Sequence, residues 1–323
     1  MSATVEQREH RIVYSTPPRA AIEAAGRCVT QRWITGLSLL ISVLALVATT
    51  VGISSSNGVR HASFTSLRGE TISIQGGGVY AHESVSGAAQ AIGQDYATLI
   101  IGIPLLLIAT YLAARGSLRG RLLQAGALWY FGYTYLLMAF GGAYNQLFLA
   151  YVALYSASVF AFVLALHAID IGGLPARFSP RFARRTIAWL VIGFGAVLAL
   201  LWLGRIVPSL LSGTTPMGLE SYDTLFVQAG DLGLVVPLAI LAGVLLLQSQ
   251  PVGYLLAGVL LVKGATLGLA LMVMVLSMAA AGVAIVPVEV AFFVTVALIC
   301  CAGTIHLVSV LPGRSLELAT MLK

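Results

Sequence analysis

Eight stretches of about 20 mostly apolar residues recur along the chain, at roughly 33–54, 96–114, 122–142, 147–167, 187–207, 232–249, 253–278 and 284–311. At a rise of about 1.5 Å per residue, each is long enough as a helix to cross the ~30 Å hydrocarbon core of a bilayer. Backbone in lipid must satisfy its own hydrogen bonds, which leaves helices as the solution for single segments of this length. The expected fold class is therefore all-α, a polytopic integral membrane protein with about eight transmembrane helices. Composition agrees: 59% of the 323 residues are hydrophobic and only 9% are charged, where soluble domains carry roughly a quarter charged. Mean hydropathy is +0.94. The first apolar run follows 32 polar residues and no small-residue cleavage site follows it, so it reads as a retained first helix rather than a signal peptide.

The formal charge of +6 does not point to nucleic acid, because the arginines fall in short clusters between apolar runs. Such clusters are topology signals. An even number of spans puts both termini on one side. With that side cytoplasmic, Arg8, Arg11, Arg19, Arg27, Arg32, Arg115, Arg119, Arg121, Arg177, Arg181, Arg184, Arg185, Arg314 and Lys323 are inside, fourteen of the eighteen basic residues. Arg60 and Arg68 fall outside, Arg205 near an outer helix end, and Lys263 within a span. The expectation is a multi-pass protein of the plasma membrane with cytoplasmic N and C termini. The sixteen-to-two excess of Arg over Lys fits a GC-rich prokaryotic genome.

The chain divides into a cytoplasmic segment 1–32, a membrane half 33–167 with a long outer loop 55–95, a basic cytoplasmic linker 168–186, a second half 187–311 with an outer loop 208–231, and a tail 312–323. The halves correspond. Each opens with arginines and an early Trp (Trp33, Trp189), passes a long outer loop, and enters a helix as Asp followed by Pro: Asp95 and Pro104, Asp231 and Pro237. Further on "LLMAFGG" answers "LSMAAAG", and His167 answers His306, at offsets of 136, 140 and 139. This order predicts a tandem 4+4 helix repeat, parallel because each unit has an even helix count. In the first outer loop, the alternation at 71–74 before Gly76, Gly77 and Gly78 reads as a short hairpin. Asp95 and Asp231 read as acidic residues at the outer mouths of helices, capping exposed N–H groups.

Lys263 is the residue that asks for chemistry. It lies ten residues into the seventh span, ~15 Å deep at helical rise, where an ionisable group needs a partner, a cavity, or loss of its proton. Lys can lose its proton in such a place and Arg cannot. Thr266, Ala270 and Ser277 share its helix face, and Gly264 with Gly268 forms a GxxxG on an adjacent face. Counting depth from the inner ends puts Tyr133 and Tyr155 level with Lys263, as hydrogen-bond or cation–π partners. Glu289, the only carboxylate well inside a span in this reading, lies ~13 Å nearer the outer surface. The expected substrate-binding set is Lys263, Tyr133, Tyr155, Glu289 and Thr266.

Other chemistry finds little support. No Walker loop, HExxH or GxSxG stands in a usable context. Cys28, Cys300 and Cys301 form no disulfide or metal-site pattern. His167 and His306 lack ligand spacing, apart from Asp170 three residues after His167, and His61 with His82 is too few for a metal; no metal or cofactor is expected. Lys263 resembles the retinal lysine of microbial rhodopsins in standing central to a seventh span. The third span here, 122–142, has no acidic counter-ion and an eighth span follows, so intramembrane lysine chemistry of that kind is the remote alternative. The leading expectation is a small-molecule or ion permease, or the membrane component of one. The competing reading is a non-transporting scaffold, assembly or sensor subunit whose outer loops bind a protein partner. Beyond the bilayer no partner is specified, and oligomeric state is left open.

Overall fold

The computed structural model describes residues 19–56 and 61–311. The N-terminal 18 residues, Arg60, and the tail with Arg314 and Lys323 lie outside the described residues. Helix α1 (Arg19–Ser55) leads to a two-stranded antiparallel hairpin, β1 (Ala62–Thr65) and β2 (Thr71–Ile74), in which Ala62 faces Ile74 and Thr65 faces Thr71. The strand expected at 71–74 is present, but the glycines after it do not make its turn. The reversal lies at 66–70, closed by Gly69 N–H to Ser66 O (2.9 Å) with Gly69 at φ 82°, a conformation that suits glycine.

Helix α2 (Val85–Ala97), capped by the Ser84 hydroxyl, runs through a π-helical turn at Thr98–Gly102 into α3 (Ile103–Ala114). Then come α4 (Leu118–Phe140), α5 (Phe148–His167), the short α6 (Leu174–Arg177) and α7 (Arg184–Ser212). Helix α8 (Phe226–Gly230) passes through a second π-helical turn, Asp231–Val235, into α9 (Val236–Leu247), followed by α10 (Pro251–Ala280) and α11 (Pro287–Val310). Among the described residues, seven helical segments are long and apolar enough to span a membrane: Val29–Ser55, Val85–Ala114, Phe148–His167, Arg184–Ser212, Phe226–Leu247, Pro251–Ala280 and Pro287–Val310. The chain is thus an all-α multipass membrane protein. Helix α4 is long enough but falls short on hydropathy because it carries Gln124, Tyr130, Tyr133, Thr134 and Tyr135. Those side chains are buried among α3, α5 and α10, so α4 has little need of a greasy surface.

Two spans begin earlier than hydropathy indicates. Asp95 is the eleventh residue of α2 and Asp231 opens the π turn after α8. Neither carboxylate caps a helix: the N-caps are Ser84 for α2, Leu225 for α8 and Gly230 for the π turn. The segment Val85–Gln94 is rich in Gly, Ala and Gln and reads as loop, yet it is helical because it packs on α10; a methyl on Gly93 would meet the Met274 backbone.

Helices α4 and α10 hold the centre. Local geometry around them repeats at one spacing of 133 positions: Pro104 and Pro237, Gly116 and Ser249 (φ 84° and 60°), Gly120 and Gly253. Added methyls on the last two would strike Leu112 and Ala113 in one case, Leu245 and Leu246 in the other. Both π turns feed a 12-residue helix. This spacing sets Asp231 opposite Thr98 and Gln228 opposite Asp95, not aspartate opposite aspartate. The packing is less symmetric. Helix α1 lies along α5, whereas α7 scarcely touches α11. Gly264 and Gly268 pack instead against Cys300 and Ala297 of α11, so α10 gives that last helix its closest helix packing.

Candidate functional site

The gap between α7 and α11 opens into a cavity of about 450 Å³ at the hairpin end of the bundle, walled also by α2, α4, α8 and α10. Its floor is built from Asp231, Tyr133 and Trp202. The Tyr133 hydroxyl donates to Asp231 Oδ1, and Trp202 Nε1 donates to Oδ2 at 2.9 Å. Gly230 leaves room for this approach, since a methyl there would sit 3.0 Å from the Tyr133 oxygen. Both oxygens of Asp231 are thus engaged, and the residue is 7% exposed.

Lys263 lies behind this floor. Its side-chain nitrogen is 4.2 Å from the Tyr133 ring centroid, and the residue is 1% exposed. The nitrogen has no hydrogen-bond partner among the described residues, and the Tyr133 ring face stands over it. Tyr133 therefore joins two ionisable groups, through its ring to the amine and through its hydroxyl to the carboxylate.

The other expected site residues are spread out. Thr266 donates to Lys263 O (2.9 Å) and Val262 O (3.0 Å), so its hydroxyl is spent on its own helix. Tyr155 packs edge-on against Phe140 with centroids 5.5 Å apart, away from Lys263. Glu289 lines the cavity mouth and is ion-paired with Arg205, not with Lys263. Asp95 is 2% exposed and does not line the cavity; it accepts from Tyr80 at 2.6 Å, with Gly52 packed against its oxygen.

The two loops are tied to each other beside the cavity. Tyr222 and the Ala143 N–H donate to Glu83, Ser84 donates to Glu220, and Arg68 donates to the carbonyls of Glu220 (2.9 Å) and Tyr222 (3.2 Å). Burial pushes the Glu83 carboxyl above its ordinary range, against the opposing pull of those two donors. It raises the phenols of Tyr222 and Tyr80 as well.

Sequence reasoning missed Trp202, Arg205, Glu83 and Tyr222 as site residues. The first two carried a signal: a Trp and an Arg three apart share a helix face, and the Arg205 guanidinium stacks 5.5 Å from the Trp202 ring centroid. The loop residues carried none. No protein-family model, no curated protein and no solved structure matches the chain.

Proposed function

We propose that this protein is a small-molecule permease, or the membrane component of one, with the cavity as its substrate site. The observation that carries the reading is the coupled set at the floor, Asp231, Tyr133 and Lys263. Intramembrane ionisable groups are costly to keep and mark substrate or proton pathways. A volume of about 450 Å³ falls within the range of small-molecule pockets, about 300–1,000 Å³.

In this reading α4 is an eighth span, both termini are cytoplasmic, the cavity opens outward in the plasma membrane, and the chain is two four-helix units. The common spacing supports the repeat. It sets Lys263 where Tyr130 stands and Asp231 where Thr98 stands. Tyr130 and Thr98 share a hydrogen bond (3.0 Å), joined by Gln94 (2.7 Å to Tyr130). At these positions the first unit has a hydroxyl pair, and the second has an amine and a carboxylic acid beside the cavity. Transporters built from repeats place their sites near the midplane on interrupted helices, and Asp231 begins a π-helical turn.

The test is reconstitution in liposomes holding a pH-sensitive dye, challenged with a panel of amines, amino acids, organic acids and sugars. At least one solute should move across the bilayer, with or without protons, in a way that Asp231→Asn and Lys263→Met abolish. Identical transport in wild type and both variants would sink the reading, as would a panel with no transported member.

A further inference from the structure

The charge around the cavity narrows what it can hold. Four carboxylates line it, Glu83, Glu220, Asp231 and Glu289, against one cation, Arg205. That cation is already spent: Arg205 is paired with Glu289 and stacked on Trp202. Glu83, Glu220 and Asp231 have no cation within ion-pair distance among the described residues. Lys263 does not line the cavity, because the Tyr133 ring covers its nitrogen. An anionic solute would meet three acidic side chains with no cation in ion-pair contact, and no free positive group on the cavity wall. A low-dielectric cleft focuses such a field inward.

The rings add a second preference. Tyr133, Trp202, Tyr222, Phe226 and Phe293 all line the cavity. Two of these rings already carry a cation of the protein's own, Lys263 on Tyr133 and Arg205 on Trp202. Faces of this kind attract ammonium and guanidinium groups most strongly where water is excluded. The remaining wall is apolar and adaptable, with Met138, Met217, Met274 and Met278 beside Leu267 and Leu271. Methionine walls accept varied shapes.

We propose that the cavity takes a monovalent organic cation with an apolar body, its positive group over Asp231 and the Tyr133 and Trp202 rings, its body against the methionine wall. The proposal rests on the cavity being the substrate site of the permease reading. Its charge selectivity is tested by binding alone, so it fails separately from transport.

The experiment uses the full-length protein in lipid nanodiscs and three probes of similar size: benzyltrimethylammonium, its uncharged carbon counterpart neopentylbenzene, and benzylsulfonate. Binding is read from quenching of tryptophan fluorescence and from calorimetry, with empty nanodiscs as blank. The cation is expected to bind roughly tenfold or more tighter than the neutral probe, with the sulfonate weakest. Asp231→Asn, which keeps the side-chain shape, should bring cation and neutral probe to similar affinity. Because the three-probe comparison is made on wild type, it stands even if the variant fails to fold. Equal affinity for the three probes, preference for the sulfonate, or no saturable binding of the ammonium each overturns the proposal.

Discussion

The side-chain nitrogen of Lys263 lies 4.2 Å from the centre of the Tyr133 ring, with no hydrogen-bond acceptor of its own among the described residues. A buried polar group left unsatisfied costs about 1–3 kcal/mol, so this amine is a burden on the fold. Lys263→Met, similar in length and apolar, is expected to keep or raise the thermal unfolding midpoint in detergent while abolishing the transport proposed above. A fall of several degrees would show instead that the amine holds the bundle together.

Tyr133 serves two groups through different atoms, so two substitutions separate them. Tyr133→Phe keeps the ring over Lys263 but strips Asp231 of one donor; the expected loss is about 1–2 kcal/mol of stability. Tyr133→Leu also removes the ring and opens a void, and should cost more, about 3 kcal/mol or above. Equal midpoints for the two variants would mean that the ring contact contributes nothing.

On the other side of the bundle, Gly52 abuts the carboxylate of Asp95 that accepts from Tyr80. A methyl at Gly52 has no space and must displace that buried carboxylate. Gly52→Ala is therefore expected to destabilise by about 1–3 kcal/mol, despite Ala being the better helix former. Unfolding midpoints of the variant and of Gly36→Ala, where nothing lies within 4 Å, provide the check: the first should fall and the second should not.

How much of this could be read beforehand follows from what each residue answers to. The multipass character and the meeting of Lys263 with Tyr133 were legible, since hydropathy and a fixed rise per residue carry that information. Helix starts at Val85 and Phe226 were not, because α2 is made helical by its contact with α10 rather than by greasiness, and the error turned two interior aspartates into caps. The partner of Glu289 was missed for a related reason. Depth counting within one helix does not reveal which neighbour stands across a gap, and here it is Arg205 on α7 that faces Glu289. Tyr155 shows the converse: equal depth put it beside Lys263 on paper, while its helix face turns it toward Phe140.

Glu83 lies outside the spans and gives a pH signature. Burial makes its carboxyl hold a proton more tightly in the folded chain than in the unfolded one, whose ordinary value is 4.5. Its contribution to stability is therefore present below pH 4.5 and is lost as pH rises through the raised folded value. Glu220 acts in the same sense and His82 against it. In Glu83→Gln the amide oxygen can still take the Ala143 N–H and the amide nitrogen can donate to Tyr222. Melting curves from pH 4 to about 8 should show a downward drift in wild type that is reduced in this variant. Parallel drifts would assign the pH dependence elsewhere.

The gap that forms the cavity depends on how α11 is held. Helix α10 packs along one side of it, and on the α7 side the Arg205–Glu289 pair bridges the mouth. The pair is partly buried, with side chains 19% and 30% exposed, so it is screened less than a surface pair and removing one partner strands the other charge. Spin labels at Leu210 on α7 and Val288 on α11, both exposed positions, would report the width of the mouth. Arg205→Gln is expected to broaden and lengthen that distance distribution, and the exchanged pair Arg205→Glu with Glu289→Arg to restore a narrow one. An unchanged distribution in Arg205→Gln would mean that α10 alone sets the position of α11, leaving the ion pair a matter of cavity charge rather than of its shape.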